Sequence, residues 1–320
     1  MNELIMTSKY ELAKQQNIED MYTKTMTEKT KRSYMQTIKE FFEVQELSDV
    51  TVEDMQQVTP ELANLYAHKL IEKGLSKATV NKKLSSLQNF YKFLCRRDIG
   101  IMTYNPFETN QGAIRFKNAS KQYTDKRILT PDEIKTMICL AEKNNTIIGM
   151  RDTIVLLMLS TTGMRREELC SINIGDIRTY LGKKIIEITG KGDKRRLVVL
   201  SDKLVRLIDA YIKARGLTSK DKSAPLIASH GNRNCGNVDT NTIYRVVKKY
   251  ARLAGIDEST ISPHAFRATY ATILRDDLDM PVDDIQELMG HSNRQTTQRY
   301  IKSVKVIKDN PANKLNGMFE

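Results

Sequence analysis

The sequence predicts a mainly α-helical protein in two blocks, the second adding a small antiparallel β-sheet. Three observations carry this. Apolar residues recur at helical spacing through most of the chain, the periodicity breaks over residues 109–126, and two Ile- and Val-rich segments flank Gly190-Lys191-Gly192-Asp193. At 320 residues each block is long enough to bury a core of its own.

In the first block a helix is expected from Thr27, with Tyr34, Ile38, Phe41 and Phe42 at helical spacing and Lys29, Lys31, Arg32 and Lys39 between them. A second begins at Thr59, with Pro60 in its first turn, and stops at Gly74. A third follows Ser76, where Val80, Leu84, Leu87, Tyr91 and Leu94 form an apolar stripe. Around that stripe lie Lys77, Lys82, Lys83, Lys92, Arg96 and Arg97, with no acidic residue from Ser76 to Arg97. A charge run is often only a solvated face, but uncompensated cations beside a buried stripe favour phosphate contact. Residues 109–126 lose periodicity and carry Arg115, Lys117, Lys121 and Lys126 almost unopposed, so they are expected to form a basic linker.

The second block opens on Thr130-Pro131-Asp132-Glu133, a capping box with proline at the first helical position. Helices are expected near residues 151–161, 165–172, 202–215, 241–254, 263–275, 282–289 and 293–302, and a β-hairpin over residues 184–189 and 195–200.

Hydrophobic residues at 40% and charged residues at 28% indicate an ordinary globular chain. A net charge of +12 points to a polyanionic partner. No apolar run approaches a membrane-spanning length and Met1 to Gln16 lacks the core of a signal peptide, so nucleic acid is expected as partner, with no membrane. The scattered Cys95, Cys139, Cys170 and Cys235 read as reduced thiols of a cytoplasmic protein. With four histidines, no paired aspartate motif that suggests a two-metal phosphoryl-transfer site and no GxxxxGK[ST], neither a metal nor a nucleotide cofactor is expected.

Three local patterns carry candidate chemistry. In Thr162-Gly163-Met164-Arg165-Arg166-Glu167-Glu168, Gly163 ends one helix, Arg165 opens the next and Glu168 shares a face with Arg165. Taken alone this is an ordinary surface ion pair. In Ser262-Pro263-His264-Ala265-Phe266-Arg267, Ser262 can cap, Pro263 starts a helix, and His264 and Arg267 project from neighbouring positions. Phe266, Tyr270, Ile273 and Leu274 take the buried face. In the third, Gly290 closes a helix before His291, and Tyr300 follows nine residues after that histidine. Nothing local separates Tyr300 from the chain's other tyrosines. Gly190 to Asp193 taken alone is a turn, and Lys194, Arg195 and Arg196 read equally as phosphate contacts or solvated charges.

Together, Arg…Lys…His-x-x-Arg…Gly-His…Tyr, in this order and spacing over roughly residues 20–305, resembles the tyrosine recombinase (phage integrase) family, whose simple bacterial members include the chromosome-dimer-resolving recombinases. The resemblance implies Arg165 and Arg267 as catalytic arginines, Lys191 as the hairpin lysine, His264 and His291 as the histidines, Tyr300 as nucleophile and Glu168 as support for Arg165. It implies an N-terminal helical core-binding domain over residues 1–108, a basic linker over 109–126, a mixed α+β catalytic domain over 127–305 and a tail over 306–320. The domains would form a C-shaped DNA clamp, with Lys77, Lys82, Lys83, Arg96, Arg97, Arg115 and Lys117 on the DNA backbone. It further implies a homotetramer on two double-stranded recombination sites, with the tail docking on a neighbouring subunit, although the tail's own residues read equally as a frayed terminus. With the first clamp helix expected near Thr27, a simple two-domain enzyme is expected rather than one with an extra arm-binding domain. Ala268 and Lys302 depart from the histidines of many relatives, which leaves activity standing and weakens a subfamily assignment.

The chemistry accounts for these residue types. Two planar guanidiniums can clamp the equatorial oxygens of a pentacoordinate phosphorus in place of a metal ion. Tyrosine, with an ordinary pKa of about 10, needs a base, for which His264 is placed, and Lys191 could protonate the leaving 5′-oxygen. A 3′-phosphotyrosine stores the bond energy for religation. A type IB topoisomerase shares much of this chemistry, but the compact size and the Gly-His…Tyr spacing argue against it. A non-catalytic DNA-binding protein on the same scaffold would have lost part of the set. The expected tasks are integration or excision of a mobile element, or resolution of replicon dimers.

Overall fold

A computed structural model of the chain describes residues 18–117, 127–189, 195–230 and 236–290. Its contacts divide into two units, Met1–Ser120 and Lys121–Glu320.

The first unit is helical. After helical residues 18–23 come α1 (Glu28–Phe42), α2 (Val52–Gln56), α3 (Pro60–Glu72) and α4 (Lys77–Leu94). Each starts where a hydroxyl can satisfy an orphan amide: Thr27, Thr51, Thr59 and Ser76 accept from Thr30, Asp54, Leu62 and Thr79. The α4 stripe is buried as its spacing predicts, with Val80, Leu84, Leu87, Phe90, Tyr91 and Leu94 inside a core that also holds Ile38 and Phe107. The Tyr91 hydroxyl donates to the Met55 carbonyl at 3.1 Å, tying α4 to α2. The five-residue α2 is too short to show a period and was not anticipated.

Residues 109–117, expected as the start of a linker, are bound into this unit. Asn64 donates to Gly112 O at 3.1 Å and accepts from Ile114 N at 2.8 Å. Asn81 donates to Phe116 O at 2.8 Å and accepts from Phe116 N at 3.1 Å. Ile114 and Phe116 pack against the core. A run without helical period can still be fixed when side-chain amides pair with its backbone.

The second unit contains α5 (Pro131–Glu142), α6 (Ile147–Thr162), α7 (Arg166–Ser171), β1 (Ile177–Tyr180), β2 (Lys183–Thr189), β3 (Arg195–Val199), α8 (Asp202–Ala214), α9 (Thr240–Leu253), α10 (Pro263–Asp276) and α11 (Val282–Met289). The expected capping box is made at α5, where Glu133 N donates to Thr130 Oγ1 at 3.2 Å and Thr130 N to Glu133 Oε2 at 2.9 Å. The sheet runs β1-β2-β3, antiparallel throughout, with Ile177 opposite Ile186 and Thr189 opposite Arg195. The hairpin is therefore as expected, but β1 adds a strand that its mostly exposed residues did not signal.

Helix α6 is the central element. Ile154 to Leu159 are all buried, and α5, α8 and α10 pack around it. Its polar pair is also internal: Arg151 donates to Asp152 at 3.0 and 2.7 Å, and Lys249 of α9 reaches the same carboxylate at 3.4 Å. Pairing is what makes such burial tolerable. No helix among the described residues is long and apolar enough to cross a membrane. The expected helix over 293–302, the hairpin turn and the tail lie outside the described residues.

Candidate active site

Helix α6 ends at Gly163, whose φ of +58° is open to glycine at little cost. Space is a second constraint, because a Cβ there would collide with the Tyr270 ring. Two residues later Arg165 occupies the N-cap of α7. From the third position of that helix Glu168 reaches back and accepts from Arg165 N at 2.8 Å.

The carboxylate then gathers two guanidiniums. Arg165 Nη1 donates to Glu168 Oε1 at 2.8 Å. Arg196, on β3, donates through Nη1 to Oε1 at 3.0 Å and through Nη2 to Oε2 at 2.6 Å. Burial pushes the Glu168 carboxyl up, but the hydrogen bonds and charges of Arg196 and Arg165 outweigh it and hold the group at about 2. The Arg165–Glu168 pair, read from sequence as an ordinary surface ion pair, is thus part of a largely buried cluster, the Glu168 and Arg196 side chains being 9% and 7% exposed. Arg196, not separated from its neighbours by sequence, is turned inward beside Val198 while Arg195, Leu197 and Val199 face outward.

Arg165 and Arg267 are both held from behind by helix C-terminal carbonyls. Arg165 Nη2 donates to Gly290 O at 3.0 Å. Arg267, only 2% exposed on α10, donates to Gly163 O and to Met289 O, at the ends of α6 and α11. These carbonyls lack intrahelical partners and carry the negative end of the helix dipole, so guanidiniums suit them.

A cleft of about 390 Å3 is lined by Arg165, Arg166, His264, Arg267 and Tyr244, among others. Pro263 opens α10 as expected, and His264, exposed, stands one turn before Arg267. Ser262 takes the N-cap position without the expected side-chain bond. Phe266 and Leu274 are buried, whereas Tyr270 and Ile273 are half-buried. Arg166 pairs with Glu167 at 3.3 Å. The cleft can hold a compact anion between two cations whose rear donors are fixed, with an imidazole at its rim. Lys191, His291 and Tyr300 lie outside the described residues. Among the described residues no group of His, Cys, Asp and Glu gathers as metal ligands.

The first unit divides its expected DNA contacts. Lys77, Lys82, Arg97 and Lys117 are exposed. Lys83 is ion-paired with Glu40, and Arg96 donates to Asp98 at 3.0 and 2.7 Å. Arg115, expected as nearly unopposed, is half-buried and donates to Gln88 at 2.9 Å and to Phe107 O at 3.1 Å. Sequence reasoning did not single out Tyr244 of the cleft; its one signal was a strongly amphipathic α9 leaving a tyrosine outside.

A helical unit followed in the chain by a helical unit with a three-stranded sheet, the latter bringing Arg165, Glu168, His264 and Arg267 to one place, is the framework expected of a tyrosine recombinase. Residues 127–305 match the phage integrase family, and residues 19–98 match the phage integrase N-terminal SAM-like domain. A tyrosine recombinase XerC of Thermodesulfovibrio yellowstonii is 30% identical over 278 residues, 85% of this chain and 84% of that one. A tyrosine recombinase of Pseudothermotoga lettingae is 30% identical over 306 residues, 94% of this chain and 97% of that one. Among solved structures, the Tn1549 transposon integrase in complex with a circular intermediate DNA aligns with a TM-score of 0.63 at 20% identity, covering 92% of this chain and 98% of that one. The chain belongs to the phage integrase family: it is a tyrosine site-specific recombinase, which cleaves and rejoins DNA.

Proposed function

We propose that the chain recombines DNA through a 3′-phosphotyrosine at Tyr300. In this reading Tyr300 attacks the scissile phosphorus, His264 takes or shares the phenolic proton, and Lys191 protonates the departing 5′-oxygen. Arg165 and Arg267 hold the non-bridging oxygens, His291 hydrogen-bonds the phosphate and Glu168 supports Arg165. A 5′-hydroxyl from the partner strand then attacks the phosphotyrosine, forming the new phosphodiester and releasing the phenol. Bond energy is conserved, so no nucleotide cofactor enters the balance.

The observation that carries this reading is the convergence of Arg165, Arg267 and His264 on one cleft, with both guanidiniums fastened from behind. Double-stranded recombination sites are the proposed partner, in keeping with the net charge of +12 and with solved relatives named as DNA complexes. Lys77, Lys82, Arg97 and Lys117 are the proposed backbone contacts, with Lys83, Arg96 and Arg115 available only by giving up present partners. A homotetramer on two sites, acting in the cytoplasm on mobile-element or replicon-dimer DNA, completes the proposal.

The test is covalent trapping. Incubated in EDTA with a nicked duplex selected by the full chain from a random-sequence pool, the wild type should form a protein–DNA adduct and Tyr300→Phe none. An adduct retained by Tyr300→Phe moves the nucleophile elsewhere.

A further inference from the structure

We propose that Arg196 is a positioning residue for strand cleavage: by holding Glu168 on both oxygens, it lets that carboxylate orient Arg165 without cancelling the charge Arg165 brings to the phosphate. The proposal rests on the reading of Arg165 as a phosphate-holding residue.

Three observations lead to it. The guanidiniums share the carboxylate unequally: that of Arg196 binds it through two donors at 3.0 and 2.6 Å, that of Arg165 through one at 2.8 Å, its other bond to Glu168 being made by the backbone amide. A carboxylate paired with Arg165 alone would neutralise it. With Arg196 present the three groups sum to one positive charge, which falls to the arginine lining the cleft. The Arg165 side chain is 37% exposed and that of Arg196 only 7%, so an incoming anion meets the former.

The second observation is Gly290. Its carbonyl accepts from Arg165 at 3.0 Å. A Cβ on Gly290 would stand 3.1 Å from Arg196 Nη1 and 3.3 Å from its Cδ. Arg196 therefore packs directly against the residue that fastens the other terminal nitrogen of the Arg165 guanidinium. With φ at +60° as well, Gly290 meets both a conformational and a spatial requirement.

The third is that the arrangement is a poor way to add stability. A buried ion pair is commonly no better than well-packed apolar side chains. Arg196 Nε is moreover buried with no hydrogen-bond partner among the described residues. Leu197 and Val199 on the same strand face outward while the arginine faces in. What the inward arginine supplies is a charge and two directed donors at Glu168.

The experiment is single-turnover cleavage by the full chain of the selected nicked duplex, carrying either the natural phosphate or a methylphosphonate at the scissile position. The methylphosphonate lacks the negative charge that Arg165 is held to meet. Arg196→Met should slow cleavage of the phosphate on the order of 10- to 100-fold, with DNA affinity unchanged, and its deficit should shrink on the methylphosphonate. Arg196→Lys, which keeps the charge, should recover part of the rate. If Arg196→Met fails to fold, Arg196→Gln, whose amide still satisfies the carboxylate, should show the same substrate-dependent deficit. Wild-type rates below the unfolding temperature, or an equal deficit on both substrates, would overturn the proposal. Arg165→Ala separates the two readings. If it cleaves like the wild type, the phosphate-holding role itself fails. If it is inactive while Arg196→Met cleaves at the wild-type rate, only the present proposal fails.

Discussion

Glu168 accepts four hydrogen bonds, one from a backbone amide and three from guanidiniums, and takes up its proton at about 2 where an ordinary glutamate does so at 4.5. A carboxyl lowered on folding contributes stability that is complete above its ordinary value and is lost as the pH falls through its folded one. Glu168→Gln should therefore start from a lower urea midpoint at neutral pH, because two guanidiniums lose their anion. Its midpoint should then fall less steeply than the wild type's as pH drops from about 5 to about 2; parallel profiles would remove Glu168 as the source of the acid sensitivity. At this scale the sequence was legible where chemistry is local. The i, i+3 spacing of Arg165 and Glu168 and the helix-ending role of Gly163 could be read from neighbours in the chain. Arg196 could not, since its carboxylate partner lies 28 residues away and three consecutive basic residues offered no means of choosing among them. The Tyr270 ring against Gly163 was hidden for the same reason.

Among the elements, α4 and the residues just after it present two kinds of cation. Lys83 and Arg96 are committed to Glu40 and Asp98, whereas Lys77 and Lys82 are exposed. Replacing Lys77 and Lys82 with Ala should weaken DNA binding and reduce the magnitude of the log K against log salt slope by about 2, since each phosphate no longer neutralised removes about 0.9. An unchanged slope in a titration at several salt concentrations would place the helix away from the backbone. Elements announced by a hydroxyl cap and a long apolar stripe, such as α4 and α5, were visible in the sequence. Those missed, α2 with five residues and β1 with four, are too short to show a period, and β1 buries none of its side chains fully. Strand β3 alternates strictly, so with Arg196 and Val198 inward its apolar Leu197 and Val199 face outward.

For the whole molecule, the decisive property is that among the described residues each hydrophobic cluster closes within one unit: the core around Leu87, Phe90 and Tyr91 in the first, those around Leu156 and Phe266 and around Ile285 and Met289 in the second. Leu87→Ala, at a site with no exposed surface, should cost about 2–5 kcal/mol and lower one calorimetric transition while leaving the other in place. A single transition that shifts as a whole would show that the two cores are energetically one. Division into two blocks was legible from the loss of periodicity, but its position was not, because amides from Asn64, Asn81 and Gln88 hold a run that has no pattern of its own. That strap has a practical side for anyone retargeting the enzyme by grafting. A transplant of the first unit cut at residue 108 would strip three buried-edge amides of their partners and bare the seats of Ile114 and Phe116. A seam placed after Lys117 would carry the whole fitting across intact.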